Sequence, residues 1–230
     1  MKYQLLIFDL DNTLFDYNKA ENFALDKTLI HFGCSATAEI KESYREINEQ
    51  TWQKYERGEI TSEQLRFQRF ESFGEAHGFD WDAFEVGSLY LKNLGLGGFI
   101  LAGTEELLCR LKPDFRMAAC TNGISDVQRS RLAHSPFEGF FEPLIISDEV
   151  GFAKPDPEIF RILLDKAGIT DKSTVLMIGD SISSDISGAI AAGLPCCWYN
   201  PYAAEWPLVA GPDFIINELS DLESIVYLEE

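Results

Sequence analysis

The chain has no run approaching the roughly 18 to 20 consecutive apolar residues that a membrane-spanning helix needs, and its 19 basic side chains are outnumbered by 38 acidic ones. The first shortage excludes a helical membrane span. The second leaves a formal net charge of −19 over 230 residues. It excludes nucleic-acid polymers and anionic membranes as partners, because both are held by clustered Lys and Arg that displace counterions. A small anion remains admissible where a metal ion or a lysine reverses the field inside a pocket. Histidines are few, and His31, His77 and His134 share no spacing, which argues against zinc ligation. The cysteines, Cys34, Cys109, Cys120, Cys196 and Cys197, are odd in number and form no C-x-x-C pair; they read as reduced, buried thiols of a cytoplasmic protein. The apolar run at the N-terminus stops at Asp9, too soon for a signal peptide. What is present is an apolar fraction of 46%, ordinary for a globular protein of one to two domains.

Three short apolar runs, Leu5-Leu6-Ile7-Phe8, Met117-Ala118-Ala119-Cys120 and Val175-Leu176-Met177-Ile178, suit parallel strands buried on both faces. Each ends on polar residues: Asp9-Leu10-Asp11, Thr121-Asn122-Gly123 and Gly179-Asp180-Ser181. Helices are expected between them: one over 105–111 capped by Thr104, one opened by Pro155 and running to Lys166, and one from Ser183 to Ala192. Later strands are expected over 195–199 and 213–216, with a closing helix over 219–227. The reading is a doubly wound α/β core with a parallel sheet, in which ligands bind beyond the carboxyl ends of the strands.

Residues 17–94 lack such runs and follow a helical period instead. Leu25, Leu29 and Phe32 mark a first helix, and Ile40, Tyr44, Ile47, Thr51 and Tyr55 make a stripe on a second. Thr61 and Gln64 form a T-x-x-Q capping box for a third, and Ala83, Val86, Tyr90 and Leu94 mark a fourth. The expected organisation is a core of 1–16 and 95–230 interrupted by a four-helix cap over 17–94. Gly95-Leu96-Gly97-Gly98 would be one of its two joints, so that the cap serves as a lid.

Asp9-Leu10-Asp11 opens like a calcium loop, but Leu14 stands where that loop needs Gly and Ala20 where it needs Glu. Gly95-x-Gly97 lacks the third glycine of a dinucleotide fingerprint, and no Walker-type loop is present. What remains is two carboxylates two residues apart at a strand end, Thr121 at a second strand end, Lys154 before a helix, and Asp180 with Asp185 after another strand. Singly, each has a structural explanation as a turn residue, a cap or a solvated charge. Together they supply what phosphoryl transfer requires: a nucleophile, a proton donor, a cation site and donors for phosphate oxygens.

DLDNT, TNG, KPDPEIF and GDSISSD, in this order across nearly the whole chain, resemble the four motifs of the haloacid dehalogenase superfamily of phosphohydrolases. The resemblance implies Asp9 as the nucleophile that becomes an aspartyl phosphate, and Asp11 as general acid and base. It implies Mg²⁺ held by Asp9, the backbone carbonyl of Asp11 and Asp180. Thr121 and the N–H of Asn122 would bind phosphoryl oxygens, Lys154 would compensate charge on Asp9 and the phosphate, and Asp185 would orient Lys154 or metal-bound water. The second aspartate, Asp11, is absent from the carbon-attacking dehalogenases and so implies a phosphatase.

An insertion between the first two motifs resembles the helical type of cap, which implies small phosphorylated metabolites as substrates. Gln128-Arg129-Ser130-Arg131-Leu132, the stretch 145–151 and Cys197-Trp198-Tyr199-Asn200-Pro201 resemble the bacterial pyrimidine 5′-nucleotidase group, which implies a nucleoside monophosphate. The alternatives are a sugar-phosphate or phosphoglycolate phosphatase, a mutase, or a non-catalytic binding module. Trp52, Tyr55, Phe67, Phe70 and Phe73 offer either a stacking surface for a base or a bundle core. Arg66 and Arg69, lying among them, either reach a substrate or are solvated.

Overall fold

A computed structural model of the chain describes residues 2–206 and 211–227. By its internal contacts the chain divides into two units, one made of Met1–Asp16, Ile100–Ser125 and Leu132–Glu230, the other of Tyr17–Phe99 and Asp126–Arg131. Among the described residues no helix is long and apolar enough to cross a membrane.

The first unit is built on six strands: β1 (Leu5–Phe8), β2 (Arg116–Thr121), β3 (Leu144–Ile146), β4 (Val175–Gly179), β5 (Cys196–Tyr199) and β6 (Phe214–Ile216). They lie in the order β3-β2-β1-β4-β5-β6, and every neighbouring pair is parallel. β1 is fully buried between β2 and β4, which explains its unbroken apolar sequence. Side chains alternate across a strand, so Leu6 and Phe8 join one apolar layer while Leu5 and Ile7 join the other. The first layer is closed by Leu107, Leu108 and Leu111 together with Leu222 and Val226, the second by Ile159, Phe160 and Leu163 together with Ala189 and Ala192. Helices on both faces of a parallel sheet make the doubly wound architecture.

Four helices, α1 (Tyr17–His31), α2 (Ala38–Glu56), α3 (Ser62–His77) and α4 (Ala83–Gly95), make up most of the second unit. The capping box is formed in full, Thr61 Oγ1 accepting from the Gln64 N–H at 3.2 Å and Gln64 Oε1 from the Thr61 N–H at 2.8 Å. The interior is aromatic: the Tyr44, Phe70 and Tyr90 rings lie 5.2–5.5 Å apart, and Phe73 lies 5.4 Å from Tyr44. Close approach of α3 and α4 depends on Gly87, where a Cβ would lie 2.6 Å from the Arg66 carbonyl. Gly97, expected only as part of a joint, is buried against Ala20.

Several expectations are corrected. In α5 (Thr104–Leu111) Gly103 occupies the N-cap, and Thr104 instead donates its hydroxyl to the Leu14 carbonyl at 3.3 Å. After α6 (Ser125–Ala133) and α7 (Ser147–Val150), α8 (Pro157–Ala167) starts at Pro157 rather than Pro155, because the Asp156 side chain takes the Glu158 N–H and caps it. The expected helix from Ser183 is a π-type turn over Ile182–Ile186 followed by α9 (Ser187–Ala192); Ser181, not Ser183, caps the turn. A final helix, α10 (Leu222–Val226), follows a short turn over Leu219–Asp221. On α2 the buried face is Tyr44, Asn48 and Thr51, while Ile40, Ile47 and Tyr55 are half-buried. Cys109 is exposed and Cys34 half-buried, so only Cys120, Cys196 and Cys197 behave as buried thiols; all five are free.

Candidate active site

The polar ends of β1, β2 and β4 meet at one edge of the sheet because the three strands are adjacent and in register: Phe8 pairs with Ala119 on one side and Ile178 on the other. Asp9 continues β1 by one residue, its N–H bonding the Ile178 carbonyl at 2.9 Å. The chain then turns back, the Leu14 and Phe15 N–H groups both bonding the Leu10 carbonyl. Asn12 sits at φ +59° within this turn, a left-handed position that asparagine tolerates better than most residues.

At the centre lies Lys154, 1% exposed. Its ammonium donates to Asp9 Oδ1 at 2.6 Å, to Asp185 Oδ1 at 2.6 Å and to the Cys120 carbonyl at 2.7 Å. An ammonium has three donors, so all are engaged. The Asp185 carboxylate is engaged at both oxygens, Oδ2 accepting the Ser181 N–H at 3.0 Å. Gly179 leaves the room for it, since a Cβ there would overlap the Asp185 carboxylate. Asp180, half-buried, accepts the Thr13 hydroxyl at 3.1 Å, and its backbone carbonyl accepts the Trp198 indole N–H at 2.9 Å.

The Asn122 side chain, for which the sequence suggests no role, holds the Lys154 backbone. The Nδ2 donates to the Lys154 carbonyl at 2.8 Å and Oδ1 accepts the Lys154 N–H at 2.7 Å, a two-way clamp on the loop that carries the lysine. Thr121, buried at the end of β2, accepts the Gly123 N–H at 3.1 Å. Asp11 is half-buried, and its backbone forms a bridge with Phe15. Thr13, Ser181, Trp198 and the Asn122 side chain are contacts that the sequence reading missed. Thr13 was within reach of it, lying inside the quoted DLDNT.

Charge at this edge is crowded. Burial holds the Asp9 carboxyl well above the usual carboxylate range; Lys154 opposes that rise, while Asp185, Asp180 and Asp11 add to it. Asp180 is raised to about 7, chiefly by burial and then by Asp185, with the Thr13 hydrogen bond opposing. Burial also works against the Lys154 ammonium, but Asp185 and Asp9 outweigh it and hold the lysine above its ordinary value. The Cys120 thiol, pushed up to about 12 by burial, is no nucleophile near neutral pH. Oxygens of Asp9, Asp180 and Asp185 lie within 4.8 Å of one another. An all-oxygen set of crowded carboxylates fits a hard divalent cation, which would relieve their repulsion.

The remaining sequence candidates belong to the helical unit. Phe70 and Phe73 are core residues of the helical unit, Trp52 and Tyr55 form an edge-on pair at 5.7 Å, and Phe67 is half-buried. Arg66 lies 3.4 Å from Asp126. Arg69 is not solvated; it is 1% exposed. His77 contacts Ser43 at 2.8 Å and stacks on Phe79.

A family model described as haloacid dehalogenase-like hydrolase matches residues 3–193. The pyrimidine 5′-nucleotidase YjjG of Escherichia coli is 34% identical over 226 residues, covering 98% of this chain and 99% of that protein. The pyrimidine 5′-nucleotidase PynA of Streptococcus pneumoniae is 33% identical, covering 96% and 94%. Among solved structures, the HAD-hydrolase YfnB of Bacillus subtilis bound to magnesium superposes with a TM-score of 0.92 at 30% identity, covering 99% of this chain and 100% of that one.

Proposed function

The chain belongs to the haloacid dehalogenase-like hydrolases, and from that premise we propose that it is a Mg²⁺-dependent phosphatase acting on small phosphate monoesters, specifically pyrimidine nucleoside 5′-monophosphates. The observation that carries the chemistry is the Lys154 ammonium bonded at 2.6 Å to both Asp9 and Asp185 beside Asp180. It holds one carboxylate of a crowded acidic edge in a fixed orientation. The names of the two nucleotidase relatives support the substrate class.

In this reading an Asp9 oxygen attacks phosphorus, the bond from phosphorus to the leaving oxygen breaks, and Asp11 gives that oxygen its proton. Water then attacks the aspartyl phosphate, passes a proton to Asp11, and releases phosphate while Asp9 is restored. Lys154 has no donor to spare, so it acts by its charge and by aiming Asp9, and the phosphoryl oxygens fall to the Thr121 hydroxyl and the Asn122 N–H. Asp185 is the positioning residue for Lys154. Asp9, the Asp11 carbonyl and Asp180 would hold Mg²⁺, which when bound neutralises the acids that would otherwise repel a phosphate dianion.

Phosphate release measured over a panel of nucleotides, sugar phosphates and phosphoglycolate tests the proposal. Pyrimidine 5′-monophosphates are expected to be fastest with Mg²⁺, and none should turn over in chelator. A faster sugar phosphate or phosphoglycolate would overturn the substrate class. Silence with every monoester in Mg²⁺ would overturn the phosphatase reading and leave a binding module.

A further inference from the structure

The stretch Trp198-Tyr199-Asn200-Pro201 takes no part in the proposed phosphoryl transfer, yet it is built onto the end of the sheet where Asp180 stands. β5 pairs with β4 in parallel, and the last paired position sets Trp198 opposite Gly179. Asp180 is the first residue beyond it. Its backbone carbonyl accepts the Trp198 indole N–H at 2.9 Å, and its carboxylate accepts the Thr13 hydroxyl at 3.1 Å. Trp198 is 3% exposed and Thr13 fully buried, so Asp180 is gripped at both its backbone and its side chain by residues withdrawn from solvent.

The loop after β5 closes on the same tryptophan. The Asn200 N–H bonds the Ile216 carbonyl at 2.8 Å, which ties the loop to β6. The Asn200 side chain then holds Ala204 both ways, Oδ1 accepting its N–H and Nδ2 donating to its carbonyl, each at 2.9 Å. Trp206 comes back against Trp198, the ring centres 5.4 Å apart and the planes at 63°. Trp198 itself belongs to the apolar layer of Ile186 and Ala189. With that layer and Trp206 as its neighbours, the indole has a fixed direction in which to aim its N–H.

A phenylalanine would fill such a layer as well. What tryptophan adds is one donor, which needs an acceptor when the ring is buried, and here the acceptor is the backbone of Asp180. Mg²⁺ demands near-ideal geometry of its few protein ligands, and the groups that orient a ligand from behind set the affinity. Resting on the reading of Asp180 as a Mg²⁺ ligand, we infer that Trp198 is a positioning residue for Asp180, fixing the backbone from which that carboxylate is presented to the ion.

The test is Mg²⁺ binding to the metal-free protein, measured by titration calorimetry with no substrate present. Trp198→Phe keeps an aromatic ring and removes the donor; its Mg²⁺ dissociation constant should rise roughly threefold to tenfold, the range that one neutral hydrogen bond spans. In turnover of a phosphate monoester the Mg²⁺ concentration giving half the maximal rate should rise by the same factor, while kcat at saturating Mg²⁺ falls by less. In the wild-type protein with nitrogen-labelled tryptophan, the Trp198 indole N–H resonance, assigned by exclusion among the chain's four tryptophans, should shift as Mg²⁺ is added, with the calorimetric midpoint. Unchanged Mg²⁺ affinity in Trp198→Phe would overturn the inference and leave the metal reading in place, whatever becomes of its melting temperature. If that variant does not fold, a wild-type indole resonance that ignores Mg²⁺ would overturn the inference equally. A wild-type protein that binds no Mg²⁺ would overturn the metal reading on which the inference rests.

Discussion

Asp9 and Asp11 are two residues apart and of one chemical kind, yet only Asp9 touches the lysine, and that difference makes their roles separable. Asp9→Asn should form no phosphorylated protein with any substrate. Asp11→Asn, given an activated ester whose leaving group needs no proton, should accumulate an aspartyl phosphate on Asp9 that hydrolyses slowly; mass spectrometry after an acid quench locates it. An adduct on Asp11 would reverse the assignment. Lys154→Met leaves Asp9 and Asp185 buried without the ammonium that bonds both, and should cost about 3–5 kcal/mol of stability in denaturant titrations without metal. Asp9, Asp11 and Asp180 were legible in the sequence because each stands at or just beyond the end of an apolar run, where a strand must stop and polar chemistry is exposed, whereas Lys154 was singled out by its place before a helix. Arg69 was not read as buried. The sequence left Arg69 between reaching a substrate and lying in solvent, and nothing in a helical period reports that the bundle closes over it.

Single helices and strands fail or hold for local reasons. The reciprocal bonds of Thr61 and Gln64 fix the start of α3, so Thr61→Ala should lower stability by about 1 kcal/mol, read as a shift in the denaturation midpoint. Gly179, the last residue of β4, admits no side chain because the Asp185 carboxylate occupies its Cβ position. Gly179→Ala should therefore displace Asp185 from Lys154 and depress kcat at least tenfold, about 1.4 kcal/mol of lost transition-state stabilisation, with KM less affected; an unaltered kcat would show that the Lys154–Asp185 contact is dispensable. The five strands other than β3 were readable from apolar runs or their flanks, β6 although it has only three residues. β3, equally short, was not read as a strand. The turn over Ile182–Ile186 was read as an ordinary helix because its widened i+5 pattern leaves no mark on the spacing of Ile182, Ile186 and Ile190.

At the scale of the whole molecule the excess of acids acts on encounter. A surface with 19 more acids than bases repels a doubly charged phosphate monoester before any local cation site is felt, so kcat/KM should rise as salt increases from about 10 to about 150 mM, where the screening length falls below ~10 Å. A rate that only falls with salt would indicate that a positive local field dominates capture. The strand order has a different consequence, one of time. β1 precedes both of its neighbours in the sheet, which begin at Arg116 and Val175, more than a hundred residues later in the chain. The helices of 17–95 need only near neighbours and can condense while synthesis continues. Leu5 to Phe8, with no charge among them, must wait unpaired on both sides until β2 has emerged, and on one side until β4 has. During synthesis Asp9 thus stands at the tip of an unfinished strand while the helical unit can already condense, and release short of Gly179 should yield a folded helical unit attached to an aggregation-prone first strand.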